Sequence, residues 1–140
     1  MKFRAFYGSL ASLALASTAG LSACGGPSAV PMLNAPQTPA AQGSVVARAA
    51  ENGNTKLTVE VKHLAAPEKV SPGAKVYVVW VQPQGGPPQN VGALRVDDSL
   101  TGHLETVTAH PSFEVRVTAE EFPAATMPRG PVVLSAVVAQ

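Results

Sequence analysis

The chain has 140 residues, enough for one small domain. Its formal charge is +1 and only 14% of its residues are charged, which excludes a basic nucleic-acid-binding face and an acidic solvating tail. Pro (13) and Gly (12) are frequent and aromatics make up 5%, a mix that suits short strands joined by turns, because Pro costs about 3 kcal/mol inside a helix.

Met1-Lys2-Phe3-Arg4 gives the chain a short positive start, and residues 6–19 carry no charge and are rich in Leu and Ala. That stretch is short for a helix crossing a hydrocarbon core of roughly 30 Å. Small residues follow it, which completes the three-part layout of a secretory signal peptide. Leu21-Ser22-Ala23-Cys24 closes the leader. An aliphatic residue, two small residues and a cysteine at this place resemble the lipobox of bacterial lipoproteins. The resemblance implies that residues 1–23 are removed and that the Cys24 thiol takes a diacylglyceryl group. In many species the new amino group is acylated as well. It also accounts for a lone cysteine, which can form no internal disulfide; ordinary cleavage near Ala19 or Ala23 would leave it a spare thiol. The expected location is extracytoplasmic, with the membrane as partner through the lipid on Cys24. Gly25, where the enterobacterial sorting rule reads Asp as a retention signal, implies the outer membrane, with the cell membrane as the alternative. Loss of Lys2 and Arg4 with the leader takes ten basic residues to eight against nine acidic ones, so the mature chain has little long-range electrostatic steering.

Residues 24–43 read as the lipidated cysteine and a tether. They hold Pro27, Pro31, Pro36 and Pro39, no charge and no sustained apolar period, too little to offset the entropy of ordering. Stretched out, residues 25–43 reach roughly 65 Å, though a flexible chain averages nearer 25 Å. The expected role is to hold a domain at 44–140 away from the lipid.

Within that domain the side-chain period becomes two. Lys56-Leu57-Thr58-Val59-Glu60-Val61-Lys62 alternates polar and apolar, and Ser112-Phe113-Glu114-Val115-Arg116-Val117-Thr118 repeats the pattern, each predicting a strand with one buried face. Residues 76–81, Val-Tyr-Val-Val-Trp-Val, are continuously apolar, as in a strand covered on both faces. Residues 132–139 form another β-branched run, and 45–48, 91–96 and 104–108 are weaker strands. Turn chemistry separates them. Asn52-Gly53 suits the positive φ angles of a tight hairpin turn, and Pro72-Gly73 suits the centre of a type II turn. About seven strands without a convincing helix predict an all-β, antiparallel sandwich of immunoglobulin-like type. Trp80, in the central apolar run, is the expected core anchor.

A second resemblance lies in residues 75–138. Tyr77-Val78-Val79-Trp80, Gly92-Ala93-Leu94, the run from Phe113 to Glu120, and Pro128-Arg129-Gly130-Pro131 followed by Val132-Val133-Leu134 come in order. Together they resemble the extracytoplasmic C-terminal domain of anti-sigma-K factors, which implies a β-sandwich. Those proteins also carry a cytoplasmic sigma-binding segment and a membrane-spanning helix, which this sequence lacks, and Glu121-Phe122-Pro123 departs from the turn they have. The fold suggestion carries over and the regulatory activity does not.

Candidate chemistry is sparse. His63, His103 and His110 show no HxH or HxxxH spacing, so no metal site is expected. Asp97 and Asp98 are adjacent, hence on opposite faces of a strand, and Asp97-Asp98-Ser99 reads as a plain hairpin turn, without the alternating ligands of a calcium loop. No GxSxG, P-loop or dinucleotide fingerprint occurs. Glu105, Glu114, Glu120 and Glu121 read as solvated carboxylates, and Tyr77 and Trp80 as core. The segments 82–89 and 122–131 read as ordinary loops, with a binding rim as the alternative. The resulting expectation is a non-catalytic envelope lipoprotein with no cofactor and no nucleic-acid partner, which binds an envelope protein or contributes structure. The alternatives are an envelope-sensing signalling module and an accessory subunit of an envelope enzyme.

Overall fold

Alternation explains the β3 strand (Thr55–Lys62) most directly: Leu57, Val59 and Val61 are buried, while Lys56, Glu60 and Lys62 are exposed on the other face. A computed structural model describes residues 27–139; the expected leader at 1–23, Cys24 and Gly25 lie outside the described residues. The other strands are β1 (Val30–Asn34), β2 (Gln42–Ala49), β4 (Val76–Pro83), β5 (Gln89–Leu94), β6 (Gly102–Thr108), β7 (Phe113–Glu120) and β8 (Val132–Val138), with one helical turn, α1 (Pro67–Val70). The fold is the all-β antiparallel sandwich that the sequence predicts, with eight strands in the order β5-β4-β7-β8-β1-β2-β3-β6.

The added strand corrects the expected tether. Val30 and Met32 pair with Val45 and Gly43 of β2, and Leu33 and Asn34 pair with Ser135 and Leu134 of β8. β1 therefore passes from one sheet to the other and joins them. Pro31 lacks a donor, and pairing with β8 begins only two residues later. Met32 is buried, and Thr38 in the following turn donates its hydroxyl to the Val133 carbonyl at 3.1 Å. Partners distant in sequence supply what this uncharged, proline-broken segment lacks by itself, so the folded domain starts at Val30 rather than residue 44. At the other margin the segment after β5 closes on β6 through a bridge between Val96 and Gly102. A Cβ on Gly102 would come to 2.9 Å from the Arg95 carbonyl oxygen, so a larger residue would push the two strands apart.

Leu57, Val59 and Val61 pack into one core with Tyr77, Val79, Val81, Val115, Val117 and Leu134. Trp80 is buried as expected, but it stands apart from this cluster. It alternates with Val79 and Val81 and pairs with Arg116, so it lies on the opposite face of β4. That face is covered by the β7–β8 loop, 121–131, which hydrogen bonds tie to Glu120 and Asn90.

The turns follow their residues. Asn52 and Gly53 take φ angles of 58° and 74°. Gly73 has φ 84°, and the Ala74 N–H donates to the Ser71 carbonyl at 3.1 Å, closing the turn predicted at Pro72-Gly73. Strand registers sort the loops into two ends. Loops 35–41, 63–75, 95–101 and 121–131 form an upper end. Loops 50–54, 84–88 and 109–112 form the lower end, the one from which β1 starts.

Candidate functional site

Strand phase places Glu114, Arg116, Thr118 and Glu120 of β7 on the face turned away from the core, opposite Gln82, Trp80, Val78 and Val76 of β4. Glu114 and Arg116 form a two-pronged ion pair, with Nε to Oε1 at 2.8 Å and Nη2 to Oε2 at 2.7 Å. The guanidinium holds the Glu114 carboxyl below the usual carboxylate range, and the carboxylate raises Arg116 in turn.

Glu120 corrects the expectation of a solvated carboxylate, for it is only 4% exposed. Its Oε1 accepts from the Thr118 hydroxyl at 2.6 Å and from the backbone N–H groups of Arg129 and Gly130 at 3.0 and 3.1 Å. The Thr118 hydroxyl accepts in turn from Trp80 Nε1 at 2.8 Å. An indole, a hydroxyl and a carboxylate thus run in series from β4 to the β7–β8 loop, and three donors offset the cost of burying the acid. A side chain at Gly130 would overlap the Ala119 carbonyl oxygen, so the loop reaches this distance only with glycine. Further along, Asn90 Nδ2 donates to the carbonyls of Pro123 and Ala125, both at 2.9 Å.

Beside this clamp, residues 71–74 and 119–130 line an open groove of about 510 Å³. Phe122 and Met127 remain 59% and 64% exposed there. The Lys75 ammonium lies 5.8 Å from the centre of the Phe122 ring and 3.9 Å from the Glu121 carboxylate. The groove thus offers apolar contact on a pinned loop, with charges of both signs at its rim. It coincides with the segment 122–131, for which a binding rim is the alternative to an ordinary loop.

The other such segment, 82–89, borders a second open groove, of about 550 Å³, at the lower end. Gln82, Glu114, Arg116 and Val137 line it. Gln82 Nε2 donates to the Gly86 carbonyl at 3.2 Å, while its buried Oε1 has no partner among the described residues. On the outer face of the opposite sheet, Lys56 meets Glu105 at 3.1 Å and His103 Nδ1 lies 3.8 Å from Glu60. These groups are about half exposed, so such pairs contribute about 0–1 kcal/mol.

The histidines do not converge: His63 follows β3 at the upper end, His103 lies on β6 and His110 is in a lower loop. Among the described residues, no group of three or more His, Cys, Asp or Glu comes together. Asp97 uses both oxygens within its own turn. Oδ1 accepts from the N–H groups of Ser99 and Thr101 at 2.9 and 3.0 Å, and Oδ2 from the Thr101 hydroxyl at 2.8 Å. The Thr101 donors hold its carboxyl below the ordinary value. Tyr77 is core, as predicted, and its hydroxyl donates to the Ala65 carbonyl at 2.6 Å. Burial, with Glu68 nearby, pushes that phenol up to about 12.

The Glu120 clamp is the part that sequence reasoning misses. Its signal is present: Thr118 and Glu120 continue the outward phase of Glu114 and Arg116, and Gly130 follows ten residues later, close to two prolines.

No family model matches the chain. No curated protein matches it in sequence. Among solved structures it is similar to the crystal structure of the clock protein EA4, with a TM-score of 0.53 and 12% identity over 81% of this chain and 94% of that one. At that identity the likeness is one of fold.

Proposed function

We propose that the chain is a lipid-anchored extracytoplasmic lipoprotein whose sandwich binds another envelope component without catalysing a reaction. The binding part rests on the upper groove. Phe122 and Met127 stay exposed on a loop that Glu120 and Asn90 hold in place. A contact surface already ordered before binding loses less entropy when its partner arrives. The non-catalytic part is supported by the state of the ionisable groups. Glu120 Oε1, Asp97 and Glu114 are each occupied by internal donors, and a reacting acid or base needs reach to a substrate proton. The anchor rests on Leu21-Ser22-Ala23-Cys24, and two or three acyl chains meet the requirement for stable membrane attachment.

The test is a photo-crosslinking residue in place of Met127 in the lipidated protein in native membranes, with Lys62 as the exposed control. A discrete adduct from position 127 alone supports the reading. Equal adducts, or none, replace binding with a passive structural role. Cys24→Ser checks the anchor: it should abolish labelling by a palmitate analogue, and unchanged labelling defeats the lipid assignment.

A further inference from the structure

We propose that the lower end of the sandwich rests against the lipid surface, so that the groove at the upper end faces away from it. This deepens the proposed function and rests on acylation of Cys24. Six Cα–Cα steps separate Cys24 from Val30, the first residue of β1, so the acylated residue lies at most roughly 20 Å from that strand. Much of that reach is used within the fold. Val30 pairs with Val45, and β2 continues to Ala49 toward the lower end, a further rise of about 13 Å.

Charge distribution independently favours the same end. Loops 50–54, 84–88 and 109–112 contain one charged residue, Glu51, besides His110, and are otherwise Ala, Asn, Gln, Gly, Pro and Ser. The upper loops carry Glu68, Lys69, Lys75, Arg95, Asp97, Asp98, Glu121 and Arg129. Arg48 and Lys56, paired at the strand ends beside loop 50–54, add exposed charge to the lower end, but bringing it close to headgroups removes less ion hydration than bringing the upper end, whose loops carry eight charged residues. Val137 of β8, 70% exposed, adds apolar surface on the lower side. β1 runs from Val30 toward the upper end, so its N-terminal side is turned to the lower one, and strands of eight residues put the two ends about 26 Å apart.

Cys24 is the only cysteine, so once acylated it leaves a single introduced thiol as the sole dye site. Gln84→Cys and Ser112→Cys report on the lower end, and Pro72→Cys and Ala124→Cys on the upper; all four positions are exposed. The dye-labelled, lipidated variants are placed in phosphatidylethanolamine–phosphatidylglycerol vesicles that contain a headgroup-nitroxide lipid. Intact mass confirms acylation, and near-ultraviolet circular dichroism confirms the fold. Quenching should be at least about threefold stronger at 84 and 112 than at 72 and 124, as a separation of a full strand length requires. Equal quenching, or stronger quenching at 72 and 124, in acylated protein overturns the proposal and leaves the anchor standing. A mass without acyl chains removes the anchor, and the proposal with it.

Discussion

Trp80 and Thr118 are joined across β4 and β7 by a 2.8 Å indole-to-hydroxyl hydrogen bond, on the face of the sheet opposite the core. The same hydroxyl donates to Glu120, so Thr118 is both acceptor and donor in a buried relay.

Thr118→Val keeps the shape of the side chain and removes both bonds. It should cost about 1–3 kcal/mol, because a buried indole N–H is left without an acceptor. Trp80→Phe should cost less in the Thr118→Val background than in the native protein, since there it also removes an orphaned donor. Urea denaturation of the two single variants and the double variant checks this. Strict additivity would show that the two residues are not coupled.

Glu120→Ala should loosen the β7–β8 loop. The amides of Arg129 and Gly130 lose their acceptor, and their hydrogen exchange should rise well above that of β7 and β8. Glu120→Gln keeps an acceptor oxygen and should be milder. Unchanged exchange at 129 and 130 in the alanine variant would show that the loop is held by other contacts.

Tyr77 provides a pH test. Tyr7 and Tyr77 are the only tyrosines, so a fragment of residues 27–140 has one phenol to titrate. Its folded value is raised to about 12 from an ordinary value of 10.0. The neutral form is favoured in the fold, so the stability it contributes is complete below pH 10. That stability should decline as pH rises from about 10 through 12, where the unfolded chain ionises first. Phenolate absorbance should therefore be nearly absent at about pH 10.5 in native protein and present in urea. Half-ionisation near pH 10 in the native state would place the hydroxyl in solvent.

Asp97 and Glu114 act at the other end of the scale. Both carboxyls are lowered in the fold, so the stability each contributes is present above its unfolded value and lost as pH falls through its folded one. Thr101→Val removes one donor to Asp97 and should move the Asp97 titration, followed by carboxyl carbon shifts in NMR, back toward its ordinary value. No movement would show that the backbone donors alone set it.

The domain boundary is also testable. A fragment of residues 27–140 should fold, with near-ultraviolet circular dichroism from Trp80. A fragment of residues 44–140 lacks β1, leaving β2 and β8 as unpaired edges, and should unfold or aggregate. Equal stability of the two in urea would make β1 dispensable.

Strand phase is what the sequence makes legible. Leu57, Val59 and Val61 alternate with charged residues, so their inward face is readable. Residues 76–81 are apolar on both faces, which reveals two coverings and not which of them is the core; the expectation for Trp80 therefore falls on the wrong one. β1 has Pro31, no charge and no alternation, and its order comes from β2 and β8, strands that no local pattern links to it. Glu120 has the same phase as the half-exposed Glu114. It differs because the 121–131 loop folds back over it, a long-range contact that leaves its trace only in Gly130.

The placement of β1 also governs how the domain bears a load. Its hydrogen bonds to β2 and β8 lie across the strand axis. A pull at Val30 along the strand, as drag on a membrane anchor would apply, meets these cross-links in parallel instead of opening them one at a time. Because β1 is bonded to β2 over its first half and to β8 over its second, the tension passes into both sheets, and the segment that composition marks as slack becomes the mechanical root of the domain.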